Sequence, residues 1–112
     1  MKRERDEAMY RRDIVDCAEA IATSLRHVSR AKFDANPEKK GFIVYQLILI
    51  GEAASKLSSK FRKEHPAIPW NRIIGMRNIA THQYWEVDYD IVWKAVHDRV
   101  PELARYLRAL GR

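Results

Sequence analysis

Between Gly75 and Trp85 the chain reads GMRNIATHQYW, which sets Arg77, Asn78, His82 and Tyr84 among apolar residues. An arginine and a histidine this close together suit work on a phosphodiester. An imidazole, with an ordinary pKa of about 6.5, takes or gives a proton near neutrality. A guanidinium grips a phosphate and stabilises the charge that develops on it. The pair would suffice for cleavage of RNA without a metal: the base deprotonates a ribose 2′-hydroxyl, that oxygen attacks the adjacent phosphorus, and the arginine stabilises the pentacoordinate transition state. Asn78 would orient His82 or hydrogen-bond the phosphate.

The helix that should carry these residues does not simply bring them together. At about 100° per residue, Asn78 and His82 share a face, whereas Arg77 and His82 diverge by roughly 140°. Ile73, Met76, Ala80 and Tyr84 mark the apolar face with Arg77 at its margin, and Asn78 and His82 lie opposite, beside Gly75. A working site therefore requires a distorted helix end or a second copy of the motif across a dimer interface. Spacing alone favours ordinary surface or capping roles for the pair. Tyr84, at its place on the apolar stripe, reads as a core residue with a solvated hydroxyl.

Glu52, in IGEAA, is a lone acid among apolar residues. A buried carboxylate needs a partner. Two readings stand side by side: an ion pair that positions Arg77 in a cleft, or a structural salt bridge to any nearby lysine or arginine. His27, His65 and His97 form no i, i+4 pair and have no neighbouring cysteines, so neither a metal site nor a cofactor is expected. The three tryptophans read as packing anchors, with Trp70 and Trp85 bracketing the motif.

The elements that must hold this motif read as helices. From about Asp6 to Val28, Ile14, Val15, Ala18, Ile21, Ala22 and Leu25 give the i, i+3, i+4, i+7 stripe of an amphipathic helix. DANPEKK reads as a loop and a helix start, with Asn36 as N-cap and Pro37 at the first helical position. A second helix follows to about Lys60. Ile43, Leu47, Ile50, Ala54 and Leu57 make its stripe, and Val44, Ile48 and Leu49 widen it into a central helix packed on several sides. Pro66 and Pro69 end it, and a third helix begins near Trp70 or Asn71. Asp88 caps a fourth, with Ile91, Val92, Ala95, Val96, Val100, Leu103, Ala104 and Leu107 inward and Pro101 kinking or splitting it. With almost no alternating stretch, the expectation is an all-α bundle of four to five helices, one domain over 1–112, and a homodimer.

Composition narrows the setting. The chain is 46% hydrophobic and 32% charged, which suits a folded domain and not a disordered segment. One cysteine, Cys17, excludes an internal disulfide framework and fits a reducing compartment, so the cytoplasm is the expected location. The longest apolar run, FIVYQLILI, is far short of a membrane span, and the charged N-terminus is unlike a signal peptide. A net charge of +6 favours polyanionic partners, nucleic acid first among them, although basic residues also simply solvate helical surfaces.

RDIVDCAEAI, IGEAASKLS, HPAIPWNRIIGMRNIATHQYWEVDYDIVW and VPELARYL, taken in order, cover nearly the whole chain. The chain resembles a HepT-type member of the HEPN superfamily (higher eukaryotes and prokaryotes nucleotide-binding). Such proteins are the toxin half of HEPN and minimal-nucleotidyltransferase pairs, a type VII-like toxin–antitoxin system. The resemblance implies a compact helical bundle, usually dimeric, with a metal-independent endoribonuclease site at the cleft between protomers and tRNA as a substrate class. It places the superfamily's catalytic arginine and histidine on Arg77 and His82, and the polar residue that follows the arginine on Asn78. It makes Tyr84 the site at which a cognate nucleotidyltransferase antitoxin attaches AMP. Thr81 and Gln83 stand where alanine and glutamate are common in relatives, which puts partner or substrate preference in doubt and leaves the chemistry intact. The alternative from another class is a noncatalytic helical module that binds and regulates a nucleotidyltransferase or a nucleotide.

Overall fold

The computed structural model describes the backbone of residues 2–79 and 87–110, and side chains from Asp6 onward. Among the described residues every regular element is helical: α1 (Lys2–Leu25), α2 (Arg30–Asp34), α3 (Pro37–Lys56), α4 (Ser59–Glu64), α5 (Trp70–Gly75), a 3-10 turn η1 (Met76–Asn78), α6 (Tyr89–His97) and α7 (Arg99–Leu110). The expected all-α bundle holds. The long helices α1 and α3 pack along each other and form its spine, α7 packs on α1, and α6 packs on α7.

Burial follows the periodicity. Ile14, Ala18, Ile21 and Leu25 of α1 face Ile43, Val44, Leu47, Ile50 and Ala54 of α3 in one core that continues through Val92, Val96, Val100, Leu103 and Leu107. Val15 is only partly buried and Ala22 is exposed, so the α1 stripe is narrower than the sequence implied. Ile91, expected inward, is 58% exposed because α6 turns Val92, Ala95 and Val96 to the core instead. Among the described residues no helix is long and apolar enough to cross a membrane.

Several boundaries are set by short polar side chains. Asn36 caps α3 through Oδ1, which accepts from the Lys39 amide at 2.9 Å, and Pro37 follows at the first helical position. Asp88 caps α6, with Oδ1 accepting from the Asp90 and Ile91 amides. The α6–α7 break falls at Asp98, three residues ahead of Pro101, which sits in the first turn of α7, where the missing N–H costs least.

Elsewhere the chain breaks where the sequence read as continuous. The second expected helix stops at Lys56, not Lys60. Leu57 adopts an extended backbone, and Ser58 starts α4 by accepting from the Phe61 amide at 3.0 Å. The Ser58 amide donates to Glu7 Oε1 at 2.7 Å, which ties this corner to α1. Serines compete with helix hydrogen bonds in this way, and the sequence pattern of apolar residues does not register it. The first helix stops at Leu25, with His27 in the left-handed region at φ 60°, and not at Val28. Between the end of that helix and the DANPEKK stretch, Ser29 caps the short α2, which delivers Phe33 into the core. Phe33 meets the rings of Tyr89 at 5.9 Å and Trp93 at 5.2 Å.

Candidate active site

The route to Arg77 begins at Trp70. Its indole Nε1 donates to the His65 carbonyl at 2.9 Å, and its ring is buried beside Phe61, which fixes the start of α5. From there Ile73 and Met76 are buried where α5 and η1 lie against α3. Their three-residue spacing suits a 3-10 turn, in which residues three apart eclipse. The helix accordingly tightens at Met76–Asn78, and the Ile79 amide closes the turn on the Met76 carbonyl at 3.2 Å. Arg77 and Asn78, between Met76 and Ile79, are both exposed.

Arg77 and Asn78 therefore do not stand on an α-helix, as the sequence suggested, but on the tightened turn at its end. The helix end is distorted at the arginine. His82 and Tyr84, with Thr81, Gln83 and Trp85, lie outside the described residues.

Arg77 reaches Glu52 on α3, with Nη1 3.8 Å from Oε1. The partner anticipated for Glu52 is present, but the reason given for it is not. The Glu52 side chain is 49% exposed and that of Arg77 is 40% exposed, so no buried charge is being compensated. At that distance the contact is an ion pair without a hydrogen bond.

On its other side Glu52 lines a groove of about 340 Å³ with Tyr10, Asp13, Asp16, Cys17, Leu49, Ala53 and Lys56. Three carboxylates against one lysine give this groove a negative lining that disfavours anions. Burial, then Asp13 and Asp16, push the Cys17 thiol up from its ordinary value. It stays a neutral thiol near pH 7, a poor nucleophile. Two of the described histidines have structural partners: His65 Nδ1 hydrogen-bonds the Tyr106 hydroxyl at 2.8 Å, and His97 Nδ1 donates to the Trp93 carbonyl at 2.8 Å. Among the described residues no group of three or more His, Cys, Asp or Glu side chains is placed to hold a metal ion.

Gly51, beside Glu52, drew no expectation from the sequence. The available signal was a glycine inside a helical pattern, where its poor helix propensity points to a packing reason.

A model of the ribonuclease HepT-like family matches residues 14–110. The chain belongs to that family. Among its relatives, a candidate RNase of Methanocaldococcus jannaschii is 30% identical to this HepT-like chain over 101 residues, covering 90% of the chain and 93% of the relative. A candidate RNase of Caldanaerobacter subterraneus is 31% identical over 101 residues, covering 90% of each. A protein of Thermococcus cleftensis, named as a candidate HepT ribonuclease, is 31% identical over 94 residues, covering 84% of the chain and 86% of the relative. No solved structure matches the HepT-like chain at a significant level.

Proposed function

We propose that this HepT-like chain is a metal-independent endoribonuclease, the toxin of a toxin–antitoxin pair, with Arg77 and His82 as its catalytic residues. The observation that carries the reading is Arg77. The resemblance puts the family's catalytic arginine on it, and a 3-10 turn packed on α3 leaves it exposed beside Glu52. A guanidinium so presented meets the phosphate of a bound RNA and stabilises the charge that builds on it during attack by the 2′-oxygen. His82 removes the 2′-hydroxyl proton, and Asn78 orients the imidazole or the phosphate. The relatives named as RNases support the same class of substrate, and tRNA is the member of that class to try first.

The site is completed in a homodimer. Phe42 and Tyr45 are exposed on α3. Tyr45 and Glu52 are two turns apart and drift by only about 20° around the helix, so the apolar patch runs into the face that carries Glu52. A cognate minimal nucleotidyltransferase switches the activity off by attaching AMP to Tyr84. The added bulk and negative charge stand two residues from His82 and oppose an RNA phosphate there. The pair works in the cytoplasm, where its RNA is found.

The test is incubation of unmodified protein with total tRNA in EDTA beside His82→Ala, with products resolved on a denaturing gel. Cleavage by the wild type and none by the variant is expected. Intact RNA in both lanes would turn the reading toward a binding module that regulates a nucleotidyltransferase.

A further inference from the structure

We infer that Gly51 is a positioning residue for Arg77, an inference that rests on the ribonuclease reading of that arginine. Glycine is a poor helix former, yet Gly51 sits buried inside α3, where the helix meets α5 and η1. An ideally placed Cβ at residue 51 would lie 2.5 Å from the Arg77 amide nitrogen, 3.0 Å from Arg77 Cβ and 3.0 Å from the Ile74 carbonyl oxygen. All three are closer than the 3.4–4 Å of ordinary contact. Two of them are backbone atoms, which no rotamer change withdraws. The missing side chain is what lets the turn that carries Arg77 rest directly on α3.

Gly75 makes the contrast. A Cβ there would meet nothing within 4 Å. Of these two glycines Gly51 is the one without room for a methyl group, and the nearest atom it would meet belongs to Arg77. Glu52, the next residue, reaches the other end of the same side chain at 3.8 Å. Two consecutive residues of α3 thus hold Arg77 at its backbone and at its guanidinium.

Gly51→Ala drives the turn off α3 by about 1 Å, the gap between 2.5 Å and ordinary contact. A displacement of that size at a group that must meet a phosphate costs about 10- to 100-fold in rate.

The experiment compares the full chain with its Gly51→Ala variant by steady-state cleavage of total tRNA in EDTA, circular dichroism and ¹H–¹⁵N spectra. Expected are retained helicity, a kcat lower by about 10- to 100-fold, and a KM within about threefold, since the arginine acts in the transition state. The Ile74 and Arg77 amide resonances should move while those of α7 stay, and wild type should show a cross-peak between the Gly51 α-protons and the Arg77 amide proton. A wild type without that cross-peak overturns the inference. So does a folded variant that cleaves within about twofold of wild type, or one whose loss lies wholly in KM. Should the variant not fold, wild type is titrated with 2′-O-methylated tRNA, which cannot be cleaved. Gly51 and Arg77 resonances moving together support the inference, and Arg77 moving alone overturns it. A wild type that shows the cross-peak but cleaves no tRNA overturns it through its premise, a failure distinguishable from one at Gly51.

Discussion

The Arg77–Glu52 pair is half exposed and long at 3.8 Å, so it contributes little to stability, about 0–1 kcal/mol as for exposed pairs in general. That separates its two roles. Glu52→Gln should leave the melting temperature within about 5 °C of wild type. If the carboxylate steers the guanidinium, the same change lowers kcat for tRNA cleavage by roughly 3- to 10-fold, a small part of what misplacement can cost. Unchanged cleavage with an unchanged melt would discard the steering role. That Glu52 would have a cationic partner was legible in the sequence, because a lone acid in an apolar helix asks for one, but the sequence leaves open whether Arg77 or another base supplies it. The exposure of Glu52 was not legible, because α3 turns Gly51, Ala53 and Ala54 inward around it, and hydropathy alone does not say which of four neighbours faces water.

At the scale of the helices, apolar periodicity located the long elements, and the caps at Asn36 and Asp88 fixed their starts. What escaped were breaks made by backbone conformation: the extended Leu57, the Ser58 cap and the left-handed His27. None of these changes hydrophobic spacing. The 3-10 turn at Met76–Asn78 belongs with them, since an apolar pair three apart is compatible with either helix and only packing against α3 decides. His27 gives this a measurable form. At φ 60° a side chain crowds its own backbone by roughly 1–2 kcal/mol, and glycine relieves this at an entropic cost of about 0.5–1 kcal/mol. His27→Gly should therefore raise stability by about 0.5–1 kcal/mol in urea unfolding, with an unchanged slope. A variant less stable than wild type would mean that His27 makes a contact stronger than the strain it bears.

At the scale of the whole molecule, the question is whether one chain holds a complete site. On a regular helix the arginine and histidine diverge, and the tightened turn changes the direction of Arg77 without itself supplying a base. The outward face of α3 bears on the answer. Tyr45 is 57% exposed and Phe42 is exposed beside it, on the helix that also presents Glu52. A stable interface takes about 800 Å² from each partner, and aromatic residues at its centre carry much of the affinity. If the outward face of α3 is the interface, Tyr45→Lys places a hydrated charge in it, and on a surface position of the single chain it costs within about 0.5 kcal/mol of fold stability. Light scattering behind a sizing column should find wild type at twice the chain mass of 13.2 kDa and the variant at the single mass. If the two copies build the site together, tRNA cleavage falls with the dimer and returns as variant concentration rises, because mass action restores whatever dimer the charge still permits. A monomeric variant that cleaves at the wild-type rate would place Arg77 and its base within one chain and remove the dimer from the mechanism.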